Sequence, residues 1–173
     1  MARILKDFYL LEKSKNYSLR EILEKQPKSL IIPLPIKGGW GYSKEGAIII
    51  DKNDEVVNKN MPFDGVGLEY VIVKKRLNEE LIYSRNEKEA CSSIKYKLKK
   101  QSLLSGDKGR MYDYLIIEGT CFILDELMAL KKEVETSKNI DYETLITFPE
   151  KLEALQYYFT SEYYFDITSF FGQ

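Results

Sequence analysis

Histidine is absent from the 173-residue sequence. It is the usual general base near neutral pH and the commonest metal ligand, so its absence excludes Ser-His and Cys-His nucleophile pairs and most zinc sites. Chemistry that relies on carboxylates, and magnesium sites built from oxygen ligands, remain open. We therefore predict a protein that is not an enzyme and that has no cofactor and no metal ion.

Cysteine and long apolar runs are scarce. The two cysteines, Cys91 and Cys121, are too few for a disulfide framework and lack metal-site spacing, which favours free thiols in a reducing compartment. The N-terminal residues lack the apolar run of a signal peptide, and no apolar run approaches the ~18 residues that span a bilayer. We expect a cytoplasmic protein with a single globular domain, residues 1–173.

The clearest structural signal is the segment Tyr112 to Leu124, YDYLIIEGTCFIL. Both alternate sets of its side chains are mostly apolar, and its β-branched and aromatic content favours a strand. A strand with two apolar faces needs cover on both sides or a position in the middle of a sheet. The turn residues Ser105 to Gly109 predict a hairpin that joins it to a preceding strand.

The remaining patterns predict an α+β fold with an antiparallel or mixed sheet and helices from both chain ends packed on one face. About five strands are expected, at 29–36, 46–51, 66–74, 94–104 and 112–124. The first of them contains Pro33 and Pro35, which remove ladder donors along one edge. Helices are predicted near Ile4 to Leu11, after a capping box at Ser18 to Glu21, from Asp125 to Thr136, and after a second capping box at Thr147 to Glu150, with a strand or linker over 141–148.

The segment Lys37 to Tyr42, KGGWGY, contains the only tryptophan, Trp40, among three glycines. It matches neither the dinucleotide-binding fingerprint nor the P-loop. Two interpretations stay open. The loop either holds a phosphate or an aromatic ligand, or it is a structural turn whose tryptophan packs on the core or contacts a partner.

Carboxylates are the only candidates for catalysis, and Asp51, Asp64 and Glu69 are the best placed. Asp64, Glu69 and Lys74 are similar to the acid-acid-lysine set of restriction-type nucleases. In that set the second acid and the lysine share one strand face, whereas the spacing here predicts opposite faces. Solvated turn acids are the alternative interpretation.

Lysines alternate with apolar residues between Ile94 and Leu104, which predicts a strand with one basic and one dry face. A nucleic-acid-binding module could use this row, formed by Lys95, Lys97, Lys99, Lys100 and Arg110 with Tyr96 for stacking. The alternative is that the lysines solvate an edge strand and prevent aggregation. Residues 74–110 contain 11 basic and 5 acidic residues, whereas 125–173 contain 4 basic and 10 acidic ones.

The C-terminal segment 156–171 contains eight aromatic residues. Such a segment is either core or a rigid protein-binding surface, because tyrosine is enriched at interface hot spots. The candidate partner-binding residues are acidic or aromatic: Trp40, Glu150, Glu153, Tyr157, Tyr158, Glu162, Tyr163 and Asp166.

In type, this chain resembles the small cytoplasmic immunity and antitoxin proteins of bacteria, which have one domain, no active-site residues and an acidic-aromatic surface. The resemblance covers no motif. It implies a non-catalytic inhibitor that occludes a basic protein partner, such as a nuclease toxin, by pairing with lysines and arginines meant for nucleic acid. A nucleic-acid-binding module and a carboxylate-dependent enzyme are the alternatives.

Overall fold

A computed structural model describes residues 3–5, 16–27, 33–136 and 142–172. They form helices and a mixed sheet of six strands, which confirms the predicted α+β class. The strands are β1 (Arg3–Ile4), β2 (Ile36–Gly38), β3 (Ile48–Ile50), β4 (Cys91–Ser105), β5 (Met111–Ile123) and β6 (Tyr157–Asp166). The helices are α1 (Leu19–Glu24), α2 (Gly65–Asn78, continued by a π-helical segment Glu79–Tyr83), α3 (Leu124–Thr136) and α4 (Tyr142–Ala154). Across the described residues, every helix is too short or too polar to cross a bilayer.

The sheet has the strand order β2-β3-β6-β5-β4, and β1 pairs with β6 beside β3. β5 is antiparallel to both β4 and β6, whereas β1 and β3 run parallel to β6. The predicted hairpin between β4 and β5 is confirmed, since the two strands pair up to Ser105 and Met111. β5 therefore lies in the middle of the sheet, as its two apolar faces require.

The two faces of the sheet differ in how far they are covered by other elements of the chain. Residues paired directly across neighbouring strands point to the same face, so the register assigns each side chain of β5 and β6 to one side. On one side, Leu115, Tyr163 and Phe165 are fully buried and join a core with the apolar residues of α1 and α2. On the other side Tyr158 is 45% exposed and Glu162 is also exposed. We call these sides the covered face and the open face.

The predicted strand 66–74 is wrong, because this segment belongs to α2. Its β-branched residues favour a strand, but the Asp64 carboxylate accepts from the Gly67 amide at 2.8 Å and caps a helix. The buried residues recur at helical spacing only when charged ones are counted. They are Glu69, Ile72, Val73, Arg76, Leu77, Glu80 and Leu81.

The C-terminal elements also differ from the prediction. Helix α4 already begins at Tyr142, so the second capping box is wrong and Pro149 lies inside the helix. The predicted strand or linker over 141–148 is helical from residue 142, while residue 141 lies outside the described residues. The aromatic segment after this helix, for which the sequence predicted either core or a protein-binding surface, forms β6, and its large buried side chains recur every second residue.

The predictions for the N-terminal region are only partly confirmed. Arg3 and Ile4 lie in a strand instead of a helix, and residues 6–15 and 28–32 lie outside the described part of the chain. The proline-containing strand is short, since β2 begins only at Ile36. The first capping box is confirmed: the Ser18 hydroxyl accepts from the Glu21 amide at 3.2 Å, and the Glu21 carboxylate accepts from the Ser18 amide at 2.7 Å. The helix predicted at Asp125 is confirmed as α3.

Candidate functional site

The open face is a regular ladder across β6, β5 and β4. Neighbouring strands lie ~4.8 Å apart, so a β6 side chain is about 10 Å from its counterpart on β4. The register gives four rows: Tyr158, Thr120 and Lys95; Thr160, Glu118 and Lys97; Glu162, Ile116 and Lys100; Tyr164, Tyr114 and Ser102. The acidic-aromatic surface and the lysine row, predicted from separate parts of the sequence, therefore share one face.

A groove of about 680 Å³ crosses this face. Its lining includes Ile4 and Tyr158 on one side and Lys95 and Lys97 on the other, with Thr120 between them. Ile4 is 66% exposed and Tyr158 is 45% exposed. Large apolar side chains that stand exposed at a concave surface are typical of binding sites.

Charges on the open face are only partly paired. The Glu118 carboxylate lies 3.1 Å from Lys97 Nζ and 3.2 Å from Lys99 Nζ. Hydrogen bonds from these two lysines hold the pKa of Glu118 below its ordinary value. Among the described residues, no carboxylate forms an ion pair with Lys95 or Lys100. The β4 side of the open face therefore has positive charge available for a ligand.

A tyrosine pair forms the next part of the face. The rings of Tyr114 and Tyr164 stack with centroids 4.5 Å apart and an interplanar angle of 24°. Burial, together with the hydrogen bond to the Glu162 carboxylate, raises the pKa of Tyr114. Its hydroxyl therefore stays neutral beside the Glu162 carboxylate.

The predicted partner-binding residues of β6 separate according to the alternation of the strand. Tyr158 and Glu162 lie exposed on the open face. Tyr163 is fully buried on the covered face, and Asp166 is 3% exposed and lies 2.7 Å from Arg110. Strand alternation turns Tyr163 away from the open face. Asp166 has the same parity as Tyr158 and Glu162, and it is buried at the end of β6 by contacts with Arg110 and Thr168.

The other predicted contact residues lie in three places. Tyr157 faces the covered side, where its hydroxyl is hydrogen-bonded to Arg3 and to Glu126 of α3. Glu150 and Glu153 are exposed on α4, one short turn before β6 begins. Trp40 is half-buried and packs against the main core.

The glycine-rich loop before β3 packs around a buried arginine. The Arg76 guanidinium is fully buried between the rings of Tyr42 and Tyr163, 4.2 Å from each centroid. It donates to the Trp40 carbonyl at 2.7 Å and to the Glu80 carboxylate at 2.8 Å. These contacts give the loop a structural role, which favours the second interpretation of the KGGWGY segment.

Gly41 explains why this loop needs glycine. Its φ is +76°, and a Cβ there would lie 2.9 Å from the Ile48 side chain and 3.2 Å from the Arg76 guanidinium. Any larger residue would displace the arginine or the core strand. The glycine therefore serves the packing of Arg76, and no ligand is needed to account for it.

Two of the candidate catalytic acids have local structural partners. The Asp51 carboxylate accepts from Lys37 Nζ at 2.6 Å and from the Asn53 amide at 3.0 Å, and the lysine holds its pKa below the ordinary value. Asp64 caps α2 through the Gly67 amide. Within the described residues, no three His, Cys, Asp or Glu side chains gather as a metal site would require.

The third acid, Glu69, belongs to a buried carboxyl pair on the covered face. It is fully buried, and no donor within the described part of the chain reaches either of its carboxyl oxygens. The neighbouring Asp113 carboxylate accepts from the Gln101 side-chain amide at 2.5 Å, while its other oxygen also lacks a donor. Burial and the Asp113 carboxylate raise the pKa of Glu69 to about 9. Near neutral pH Glu69 is therefore protonated, and its hydroxyl is a donor beside the unpaired oxygen of Asp113.

The residues of β4 that were predicted to bind nucleic acid also lie on different faces of the sheet. Lys95, Lys97 and Lys100 lie on the open face, while Tyr96 pairs with Gly119 and points to the other side. Lys99 is the extra residue at a register shift between Leu98 and Lys100. The aromatic neighbours of the lysines are instead Tyr114, Tyr158 and Tyr164. Sequence reasoning missed Tyr114, Thr160 and Tyr164, although the two-residue period of 157–166 was a usable signal.

No family model, curated protein or solved structure matches this chain.

The two cysteines are free buried thiols whose sulfur atoms lie 3.2 Å apart, between β4 and β5. The open face combines a groove of about 680 Å³ with exposed aromatic and charged groups. It is the candidate functional site.

Proposed function

We propose that this protein is a non-catalytic protein-binding domain of the inhibitor or immunity type, which occludes a basic partner in the bacterial cytoplasm. A nuclease toxin is a partner of suitable chemistry. The partner docks on the open face and contacts Tyr158, Glu162 and the exposed acids of α4. The observation that carries the proposal is the exposed acidic-aromatic row of β6 beside the 680 Å³ groove.

The aromatic content of the open face supports a protein ligand. An antiparallel sheet that faces water usually alternates apolar residues inward and polar residues outward. Here the outward side chains include Tyr114, Ile116, Tyr158 and Tyr164. Tyrosines held on a rigid strand lose little entropy when they bind, which is why they act as anchors in protein interfaces.

The acids around this surface support a basic partner. Glu150 and Glu153 are exposed at the end of α4, and the chain passes from them directly into Tyr158 and Glu162 of β6. Carboxylates at the rim of an interface accelerate association with lysine- and arginine-rich surfaces and reject acidic ones. We therefore assign the anchoring role to Tyr158 and the steering role to the three glutamates.

Site-specific cross-linking in cells that naturally express the protein tests this function. A photoreactive benzoylphenylalanine replaces Tyr158, and in a control chain it replaces Tyr17, which is 50% exposed. We expect one protein with an excess of lysine and arginine to cross-link to position 158 and not to position 17. Absence of a protein cross-link at 158, or the same cross-links from both positions, would contradict the proposal.

Charge variants refine the same experiment. The variant E150Q/E153Q/E162Q removes three acids from the proposed interface and should lower the cross-linking yield. The matched control E45Q/E55Q/E87Q removes three exposed acids elsewhere, so it has the same net charge and should cross-link like the wild type. Equal loss in both triple variants would show that only net charge matters, which would contradict a defined acidic interface.

A second function, binding of single-stranded nucleic acid, is favoured by the lysine row on the same face as exposed tyrosine. Lysines would hold phosphates while Tyr158 stacks on a base. Fluorescence anisotropy with short RNA and DNA measures it. Affinity that falls steeply with added salt, and falls again in K95Q/K100Q, would support this function, whereas absent or salt-independent binding would exclude it.

A further inference from the structure

β4 is a long edge strand with a free outer side. It spans Cys91–Ser105, 15 residues, and within the described residues it pairs only with β5. Along an antiparallel strand, alternate residues direct their N–H and C=O groups away from the neighbouring strand. The outer side of β4 is therefore a row of unpaired donors and acceptors, onto which another extended segment can add.

The side chains beside this edge have different chemistry on the two faces. On the open face are Lys95, Lys97 and Lys100. On the covered-face side Tyr96 is 40% exposed, Leu98 is 37% exposed and Leu103 is 54% exposed. An added strand would meet ammonium groups on one of its faces and apolar surface on the other.

Lysines on an edge strand also protect it from unwanted pairing, and that role is compatible with a specific ligand. The lysine ammonium groups repel positively charged segments, but they attract acidic segments. A second copy of this chain is disfavoured as the occupant, because antiparallel pairing of two β4 strands brings lysines near lysines. Charge complementarity therefore selects an acidic occupant.

The register defines where such a segment would pair. Shifts occur between Ser92 and Lys95 and between Leu98 and Lys100, whereas the pairing from Lys100 to Ser105 is uninterrupted. A bulge twists an edge locally and interrupts a regular ladder. The regular run 100–105 contains Leu103, the most exposed of the three apolar side chains, and begins with Lys100, which has no described ion-pair partner.

We propose that β4 binds an extended segment of a partner protein as an additional strand, and that this segment alternates acidic with apolar residues. Main-chain hydrogen bonds to the free edge hold it, its acids meet Lys95 and Lys100, and its apolar residues cover Leu98 and Leu103. This site uses the outer edge of β4, whereas the partner proposed above contacts Tyr158 and Glu162 of β6, about 10 Å away across the same face. Either one can be present without the other.

A synthetic octapeptide that alternates glutamate with valine, blocked at both ends, is the probe. Two control peptides are used. One has the same composition with four glutamates followed by four valines, and the other carries N-methyl groups on its central residues, which removes main-chain donors. Amide NMR titration and hydrogen exchange should show shifts and slower exchange confined to β4 with the alternating peptide and not with the controls.

Charge reversal tests the role of the lysines. K95E/K100E should weaken binding of the glutamate peptide on the order of tenfold and allow a lysine-valine peptide to bind. The matched control K59E/K74E changes the same charge at two exposed positions on other elements and should bind like the wild type. All four positions are exposed, so circular dichroism should show that both variants fold.

Several results would overturn the inference. They are absence of binding at millimolar peptide, equal binding of the N-methylated or block peptide, or shifts that map to β6 instead of β4. Sedimentation that shows a dimer dissociated by the peptide would assign the edge to a second copy of the chain. None of these results bears on cross-linking at position 158, so the two proposals fail separately.

Discussion

Tyr163 and Tyr164 are neighbours in the chain, yet they belong to different parts of the molecule. Tyr163 is fully buried on the covered face, where its ring packs on the Arg76 guanidinium. Tyr164 stacks on Tyr114 at the open face. Tyr163 belongs to the buried core, whereas Tyr164 is only half-buried. Strand alternation therefore gives adjacent residues of the same type different environments.

The largest effect should come from breaking the buried ion pair of the covered face. R76A leaves the Glu80 carboxylate buried without its guanidinium partner, so we expect a loss of about 3–5 kcal/mol in the free energy of unfolding. Urea denaturation followed by circular dichroism measures it. The double variant R76M/E80M removes both charges and should be less destabilised than R76A, and the reverse order would contradict the assigned pairing.

Adjacent residues of β5 give the cleanest comparison of the two faces. L115A removes a fully buried side chain from the covered face and should cost about 2–5 kcal/mol of stability. I116A truncates a half-buried side chain on the open face and should cost roughly 1 kcal/mol or less. Equal losses in urea denaturation would mean that the open face is covered as well.

Stability should depend on pH through Glu69. Its pKa is raised to about 9 in the folded protein, above that of the unfolded chain, so its contribution is fully present below about pH 4.5 and is lost as pH rises toward 9. E69Q keeps a neutral donor at this position. At about 1.4 kcal/mol for each pH unit between the two pKa values, we expect wild type to lose about 5 kcal/mol relative to E69Q between pH 5 and pH 9. Parallel pH profiles would contradict a protonated Glu69.

Local signals in the sequence predicted the elements whose contacts are local. The Ser18 capping box, the β4-β5 hairpin and α3 each depend on residues close together in the chain. α2 was missed because Glu69, Arg76 and Glu80 occupy its buried side, and charged residues conceal an apolar period. The groups that these three residues meet, Tyr42, Asp113 and Tyr163, come from distant segments, which no local pattern reveals.

The candidate site was predicted as two separate surfaces, one acidic and aromatic, the other basic. Their meeting on one face depends on β6 being a strand and on its register with β5. β6 also pairs with β1 and β3, more than 100 residues earlier, so long-range pairing determines which tyrosines are exposed. Once the strand is known, the alternation of 157–166 separates Tyr158 and Glu162 from Tyr157 and Tyr163, whereas the burial of Asp166 depends on Arg110 and Thr168.

The comparison of Y158A with Y163A tests the central claim most directly, with unfolding free energy and partner cross-linking measured on each. For cross-linking, the photoreactive residue replaces Thr160, the next exposed position on the open face. We predict that Y158A stays within roughly 0.5 kcal/mol of wild-type stability but weakens binding by on the order of 2 kcal/mol. Y163A should instead lose at least about 3 kcal/mol of stability. If Y158A destabilises the fold as Y163A does, or leaves binding unchanged, the open face is not the binding surface.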